Sequence, residues 1–423
     1  LLEQWLSSSQ EAKDRWALPL AGLLSDRRII PPLVSNIQPW CEASRHKLAE
    51  YAAQAISLVP GDEALVILDS LANRYRSKFK NIGKACRAAL ETAAENRGVS
   101  MDELADLIVP TLDFNEEGER AMPDTEIRII LQPDFKLTFL NPETEKESKS
   151  PPASLPESAK EDIKVLRKLI RETLKGQTTR LELSLVRQRR WPVARWQELF
   201  EINPILQSFA TCLVWAAYDE KGKLRQTFRR YPNGLLANAT GGLVEFTKKD
   251  HTIGMVHPLE LDEEALQEWR QHLERMKVKP PFPQLDRPVV RLESSHANRK
   301  TIGVAKGVGM SCGTFRSRAE KRGWMRGSVI DAGGISCYYK DFPGAGFEVY
   351  LMTEDMWVGQ EAMDEVSLGE AYFTKTGEVT VGSYTYDEPA NADDKRVLNF
   401  GAVPAIVYSE TLSDLEAIVA GQR

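Results

Sequence analysis

The chain has 423 residues, 42% of them hydrophobic and 27% charged, with a net charge of -6. That balance excludes a wholly disordered chain and a membrane-embedded bundle, since no apolar run approaches the ~18 residues a span needs. At about 150 residues per domain, two to four folding units are expected. The first residue is Leu1, with no initiator Met, charged n-region or small-residue cleavage site, so the chain reads as an excised piece of a longer one.

Charge is unevenly spread. Residues 1–150 carry 18 basic and 24 acidic side chains, residues 151–345 carry 33 and 22, and residues 346–423 carry 4 and 15. A basic middle between acidic ends could steer an anionic partner, although mutual neutralisation within one assembly is the simpler account. The five cysteines, Cys41, Cys86, Cys212, Cys312 and Cys337, are odd in number and never at metal-ligand spacing. Neither a disulfide framework nor a zinc knuckle is expected, and a reducing cytoplasm fits best.

Residues 1–112 read as consecutive short helices. Helical spacing shows in Leu48, Tyr51, Ala52 and Ala55 and again in Leu65, Leu68, Leu71 and Ala72, broken by Pro60-Gly61. A helix over 82–97 should stop at Gly98, and Ser100-Met101-Asp102-Glu103 forms a capping box for the next, halted by Pro110. Stacked helical pairs of the HEAT or armadillo type are expected. Residues 113–156 form a β-hairpin, strands 126–132 and 136–141, and a Pro/Ser-rich linker over 142–156.

The remainder, 157–423, is read as an α+β domain with helices over 157–217 and a sheet-rich part over 218–423. A long helix starts at 157 and runs to 175 or on to 189; Ile163, Leu166, Ile170 and Leu174 share one face beside a strongly basic arc. After Pro192 comes a helix over 193–201, and Asn203-Pro204 opens one that is apolar nearly all round and therefore buried. Strands follow at 224–231, 252–256, 289–292, 329–342, 347–352, 371–375, 379–384 and 405–408. A helix over 261–276 is capped by Asp262, and a last one over 412–419 by Ser409.

Three places could carry chemistry. His257 precedes Pro258 at a strand-to-helix junction with Glu260 close by; with Arg287 it is the catalytic candidate, since acid–base work needs a histidine oriented by a carboxylate. The plainer reading is that His257 bonds the backbone and Asp262 caps a helix. The glycine-rich run 303–313 precedes a helix and could bind an anion, but no phosphate-loop or dinucleotide fingerprint is met and no preceding strand is clear, so a flexible loop is expected and no cofactor. Cys312 there reads as an ordinary thiol. The basic face over 160–196, ending in Arg187, Arg189, Arg190 and Trp191, with Arg229 and Arg270 beyond it, is the binding candidate, through phosphate contacts and stacking. Arginines beside tryptophans also stack on them in cores. The remaining histidines lack ligand spacing, so no metal is expected.

An ordered series in the second half carries a family resemblance. Its pieces are Arg189-Arg190-Trp191, Leu213-Val214-Trp215, Thr227-Phe228-Arg229, Val256-His257-Pro258-Leu259-Glu260-Leu261, Trp269-Arg270, Pro281 to Arg287, Arg322-Gly323-Trp324 and Val403 to Glu410. In this order they resemble the C-terminal region of the bacterial MolR-like family, domain-of-unknown-function family 4132. Leu412-Ser413-Asp414-Leu415 departs from the Met-Arg-Asp-Val-like run more usual there. The resemblance transfers no reaction. It implies protein partners in a bacterial stress or conflict system, with a MoxR-type ATPase or a von Willebrand A protein as candidates. The expected role is a non-catalytic interaction or regulatory module, the C-terminal part of a larger protein. The alternatives are a nucleic-acid-associated regulator and an enzyme centred on His257, Glu260 and Arg287; no membrane partner is expected.

Overall fold

The computed structural model describes residues 2–8, 10–75, 79–122 and 125–422. The architecture is mixed α+β, with helices and three antiparallel sheets. The chain divides into two compact units, one of residues 1–177 with 198–208, the other of residues 178–197 with 209–423.

Among its described residues the first unit opens with seven α-helices: α1 (Leu2–Leu6), α2 (Ala17–Leu24), α3 (Ile30–Glu42), α4 (His46–Ser57), α5 (Asp62–Arg74), α6 (Lys80–Arg97) and α7 (Met101–Leu107). α4 packs against α2, α3, α5 and α6. Its buried residues, Leu48, Ala49, Ala52, Ala53, Ala55 and Ile56, explain why: small side chains let neighbouring backbones approach. At Gly22 of α2 a Cβ would overlap the Ala55 carbonyl, so that crossing admits only glycine. Gly98 ends α6 in the left-handed conformation, and Ser100 and Glu103 make the expected capping box of α7.

A four-stranded meander follows, β1 (Glu119–Ala121), β2 (Arg128–Leu131), β3 (Leu137–Asn141) and β4 (Lys146–Ser148). The stretch read as a linker thus supplies a strand. The Asn141 carboxamide accepts from the Glu143 and Thr144 amides, making a tight turn that returns the chain along β3.

Helix α8 (Glu157–Val186) begins in the first unit and ends in the second. Ile163, Leu166 and Ile170 bury the predicted stripe, and Gln188 in the left-handed region follows its end.

In the second unit, one sheet is built from β5 (Arg190–Pro192), β6 (Trp215–Tyr218), β7 (Leu224–Arg230), β8 (Leu236–Ala237) and β9 (Thr252–Met255), in the order β5-β9-β6-β7-β8. The turn of helix α9 (Val193–Gln197) brings Trp196 edge-on to Trp215, Phe228 and Phe246. Residues Val214, Ala216, Tyr218 and Val256 instead pack with Leu266, Trp269 and Leu273 of α11 (Glu263–Arg275), which Asp262 caps as expected. Helix α10 (Pro204–Cys212) precedes β6; Leu213, Val214 and Trp215, read as helical, leave it to enter the sheet.

The other sheet has β10 (Val308–Ser311), β11 (Met325–Arg326), β12 (Cys337–Phe342), β13 (Phe347–Glu354) and β14 (Glu365–Lys375), in the order β10-β14-β13-β12-β11. Its core includes Phe315 of α12 (Cys312–Lys321) and Val407 and Leu415 of α13 (Ala405–Val419). Three expected strands are absent: 289–292 and 379–384 enter no ladder, apart from a single bridge of Ser383 to Val329, and 405–408 is the first turn of α13. α13 is buried nearly all round, and a short apolar run of that kind reads alike as a strand or a buried helix. Pro404 fixes the answer, standing at the N-cap where a missing N–H costs nothing. Within 329–342 the ladder begins only at Cys337, after a turn at Asp331–Gly333.

Candidate functional site

Because 405–419 is a single helix, Glu410 and Asp414 stand four residues apart on one face of it, both buried. Buried carboxylates are tolerated only with dedicated partners. Glu410 accepts from Arg287 twice, Nε at 2.6 Å and Nη2 at 3.1 Å, and from His257 Nε2 at 3.0 Å. Arg287 turns its remaining arm, Nη1, to Glu182 of α8 at 3.0 Å. Burial by itself would raise the Glu410 carboxyl, but the bonds from His257 and Arg287 prevail and hold it at about 2.

His257 is fully buried and caps the 3₁₀ turn Pro258–Glu260 that follows β9. Its Nδ1 accepts the Leu259 amide at 3.2 Å, which places the ring hydrogen on Nε2, toward Glu410. Both ring nitrogens are therefore committed. Glu260 closes the turn by accepting the His257 amide at 2.9 Å and also takes the Tyr218 hydroxyl at 2.9 Å. Burial, then the Glu260 charge, pushes that hydroxyl well above its ordinary pKa. Arg190 lies over the Tyr218 ring, 3.5 Å from its centroid.

Asp414 accepts from Lys340 Nζ of β12 at 2.6 Å and from Trp324 Nε1 at 2.9 Å. Burial moves its carboxyl upward despite the facing ammonium. A cavity of about 310 Å³ opens beside both carboxylates, walled also by Glu182, Arg287, Lys321 and Arg322. Arg287 lines a second cleft of about 450 Å³ as well, together with Pro258, Glu263, Arg270 and Arg291.

The sequence candidates are thus brought together unevenly. His257 and Arg287 meet on Glu410, and Glu260 joins them through the His257 backbone. The arginines named as binding candidates face inward partners: Arg187 pairs with Asp341 at 2.6 Å, Arg229 donates to the Thr211 carbonyl at 2.8 Å, and Arg270 donates to that of Leu285 at 2.8 Å. Arg189 stacks on Trp191, and Trp191 is itself buried against Trp215. The basic arc of α8 is partly offset by its own helix, Lys160 by Glu157 and Lys164 by Glu161, while Arg167 lies 6.0 Å from the Phe139 ring centroid.

The glycine-rich run differs from the expected loop. Its second half is strand β10, laddered to β14 and leading directly into α12, whose cap is Ser311. Gly313 is required by packing, since a Cβ there would meet the Ala362 backbone oxygen at 2.9 Å. Burial pushes the Cys312 thiol up rather than activating it.

Sequence reasoning missed Glu410, Asp414, Lys340 and Glu182. The signal available was the pair of acids at i and i+4 inside an otherwise apolar run, hidden because its first half read as a strand.

Comparison with known proteins bears on the same region. Residues 146–324 match the family described as Domain of unknown function (DUF4132). Over 340 residues the chain is 27% identical to the "Uncharacterized protein YehI" of Escherichia coli (strain K12), covering 77% of this chain and 28% of that protein. The chain therefore spans little more than a quarter of that relative's length. No solved structure matches it significantly. Within these comparisons, the chain is similar to a family defined by sequence, through a stretch that holds His257, Glu260 and Arg287.

Proposed function

We propose that the chain is a non-catalytic interaction or regulatory module that engages a protein partner through a basic segment of that partner. One observation carries this reading: an exposed aromatic surface on the second unit, set in acidic sequence. Trp357 is 41% exposed, Tyr384 74% and Tyr386 60%. Two backbone links and one to a side chain gather them around the turn at Asp331–Gly333: Val358 N–H to Gly333 O, Tyr384 N–H to Val329 O, and Asp331 N–H to the Tyr386 hydroxyl. Ala332, Asp355 and Tyr384 all hold left-handed φ, a conformation that costs energy for residues with a Cβ and concentrates at functional surfaces. Residues 346–423, which hold all three aromatics, carry 15 acidic and 4 basic side chains, although Arg316 donates to the Trp357 carbonyl at 3.3 Å. Aromatic faces among carboxylates suit Lys and Arg side chains.

The helices of the first unit add a second surface for a partner if they act as a HEAT- or armadillo-like layer. The MolR-like resemblance nominates a MoxR-type ATPase or a von Willebrand A protein. Against the enzyme alternative stands the commitment of both His257 nitrogens, to the Leu259 amide and to Glu410, in the folded chain.

The test is fluorescence anisotropy of a labelled Lys/Arg-rich peptide with the full chain, alongside co-elution with those two candidate proteins. Saturable binding that weakens about tenfold or more in W357A/Y384S/Y386S, at unchanged Tm, is expected. Equal binding by the variant would overturn the reading, and DNA binding with a steep negative salt slope would favour the nucleic-acid alternative instead.

A further inference from the structure

We infer that the cavity of about 310 Å³ beside α13 is a binding site for a small phosphate-bearing anion, distinct from the aromatic surface and independent of any partner bound there. The argument rests on which polar groups in its wall are already satisfied. Its three carboxylates face two cations: Glu182 and Glu410 share Arg287, and Asp414 has Lys340. Two further cations, Lys321 and Arg322, also line the cavity. Among the described residues Lys321 has no ion-pair partner, and Arg322 Nε stands a loose 3.9 Å from Asp414. The wall therefore carries one positive charge in excess.

Donors are in surplus too. Lys340 is wholly buried, yet among the described residues its ammonium makes a single hydrogen bond, to Asp414, out of three it can donate. The Ser413 hydroxyl, one position before Asp414, is shielded from solvent and has no hydrogen-bond partner among the described residues. Buried donors left open are costly, and here they line a space large enough for a small molecule. A lysine ammonium acting as a point charge and a hydroxyl can both donate to the oxygens of a tetrahedral oxyanion. The volume exceeds that of a bare phosphate, which points to a phosphomonoester. The left-handed Gly323 lets the chain after Arg322 turn closely past Leu183 and Lys340 at the cavity wall.

The experiment is isothermal titration of the full chain with inorganic phosphate and with glycerol 3-phosphate, at ionic strength held constant with sodium chloride. Saturable binding of one equivalent is expected, weakened about tenfold in S413A and severalfold in K321Q. Because Ser413 has no partner to lose among the described residues and Lys321 is exposed, both variants should keep the Tm of the parent in phosphate-free buffer. Tighter binding of glycerol 3-phosphate identifies a phosphorylated metabolite as the ligand class, and equal binding identifies free phosphate. No saturable heat with either probe up to 10 mM, taken as about the weakest useful affinity, or binding untouched in both variants, would refute the site. Loss of anion binding leaves the peptide-anisotropy result intact, so the two proposals fail separately.

Discussion

Replacing Glu410 by Gln tests whether the buried ion network holds the second unit together. In the folded protein the carboxyl sits at about 2, against 4.5 in an ordinary setting. A depressed folded value means the charged form is favoured by folding, so its contribution is complete above about pH 4.5 and is lost as pH falls through about 2. At about 1.36 kcal/mol per pH unit, the displacement is worth about 3 kcal/mol. The amide keeps the shape of the carboxylate but removes its charge, leaving Arg287, 13% exposed, with Glu182 alone. Breaking one side of a buried pair costs about 3–5 kcal/mol, because the remaining charge stays desolvated. Urea unfolding of the full chain, followed by circular dichroism at pH 7, should show E410Q destabilised by about that amount. The gap to the parent should narrow between about pH 4.5 and pH 2. Arg287→Met combined with E410Q should cost at least about 1 kcal/mol less than the two single changes added, as contacting partners couple. Equal stability at pH 7, or a gap that does not change with pH, would show that Glu410 is a bystander.

Two smaller predictions concern packing. A Cβ at Gly344 would overlap the Gln188 carbonyl at the end of α8, so G344A should lose about 2 kcal/mol or more, read as a fall of several degrees in Tm. Burial pushes the Cys86 thiol up to about 12 and that of Cys337 higher still, so neither should react with a thiol reagent in native protein at pH 8. All five cysteines should react in guanidinium; rapid labelling of Cys86 in the native state would contradict its placement.

The helices of the first unit were legible because their apolar residues recur at helical spacing and their ends carry local chemistry. Ser100 with Glu103, Gly98 and Asp262 act within four residues of themselves, so the chain alone decides them. The hairpin at 128–141 was legible for the same reason. The linker was not, since a Pro/Ser-rich composition does not reveal that Asn141 turns the chain back into a fourth strand. Nor was the glycine-rich run, whose strand exists only because β14 lies alongside to supply the ladder.

The candidate site divides along the same line. Sequence marked His257, Glu260 and Arg287, because a histidine before proline with a nearby acid is a local pattern. Its amide and Nδ1 are indeed settled within three residues, by Glu260 and Leu259. Which charge faces Nε2 is settled 153 residues away, by a helix that reads like a strand until Pro404 and its burial are known. Local propensity and capping energies belong to neighbours in the chain, whereas desolvation of Glu410, Asp414 and Lys340 belongs to whatever packs over them. Only the folded chain determines that packing, and with it which charges are satisfied and which remain open to a ligand.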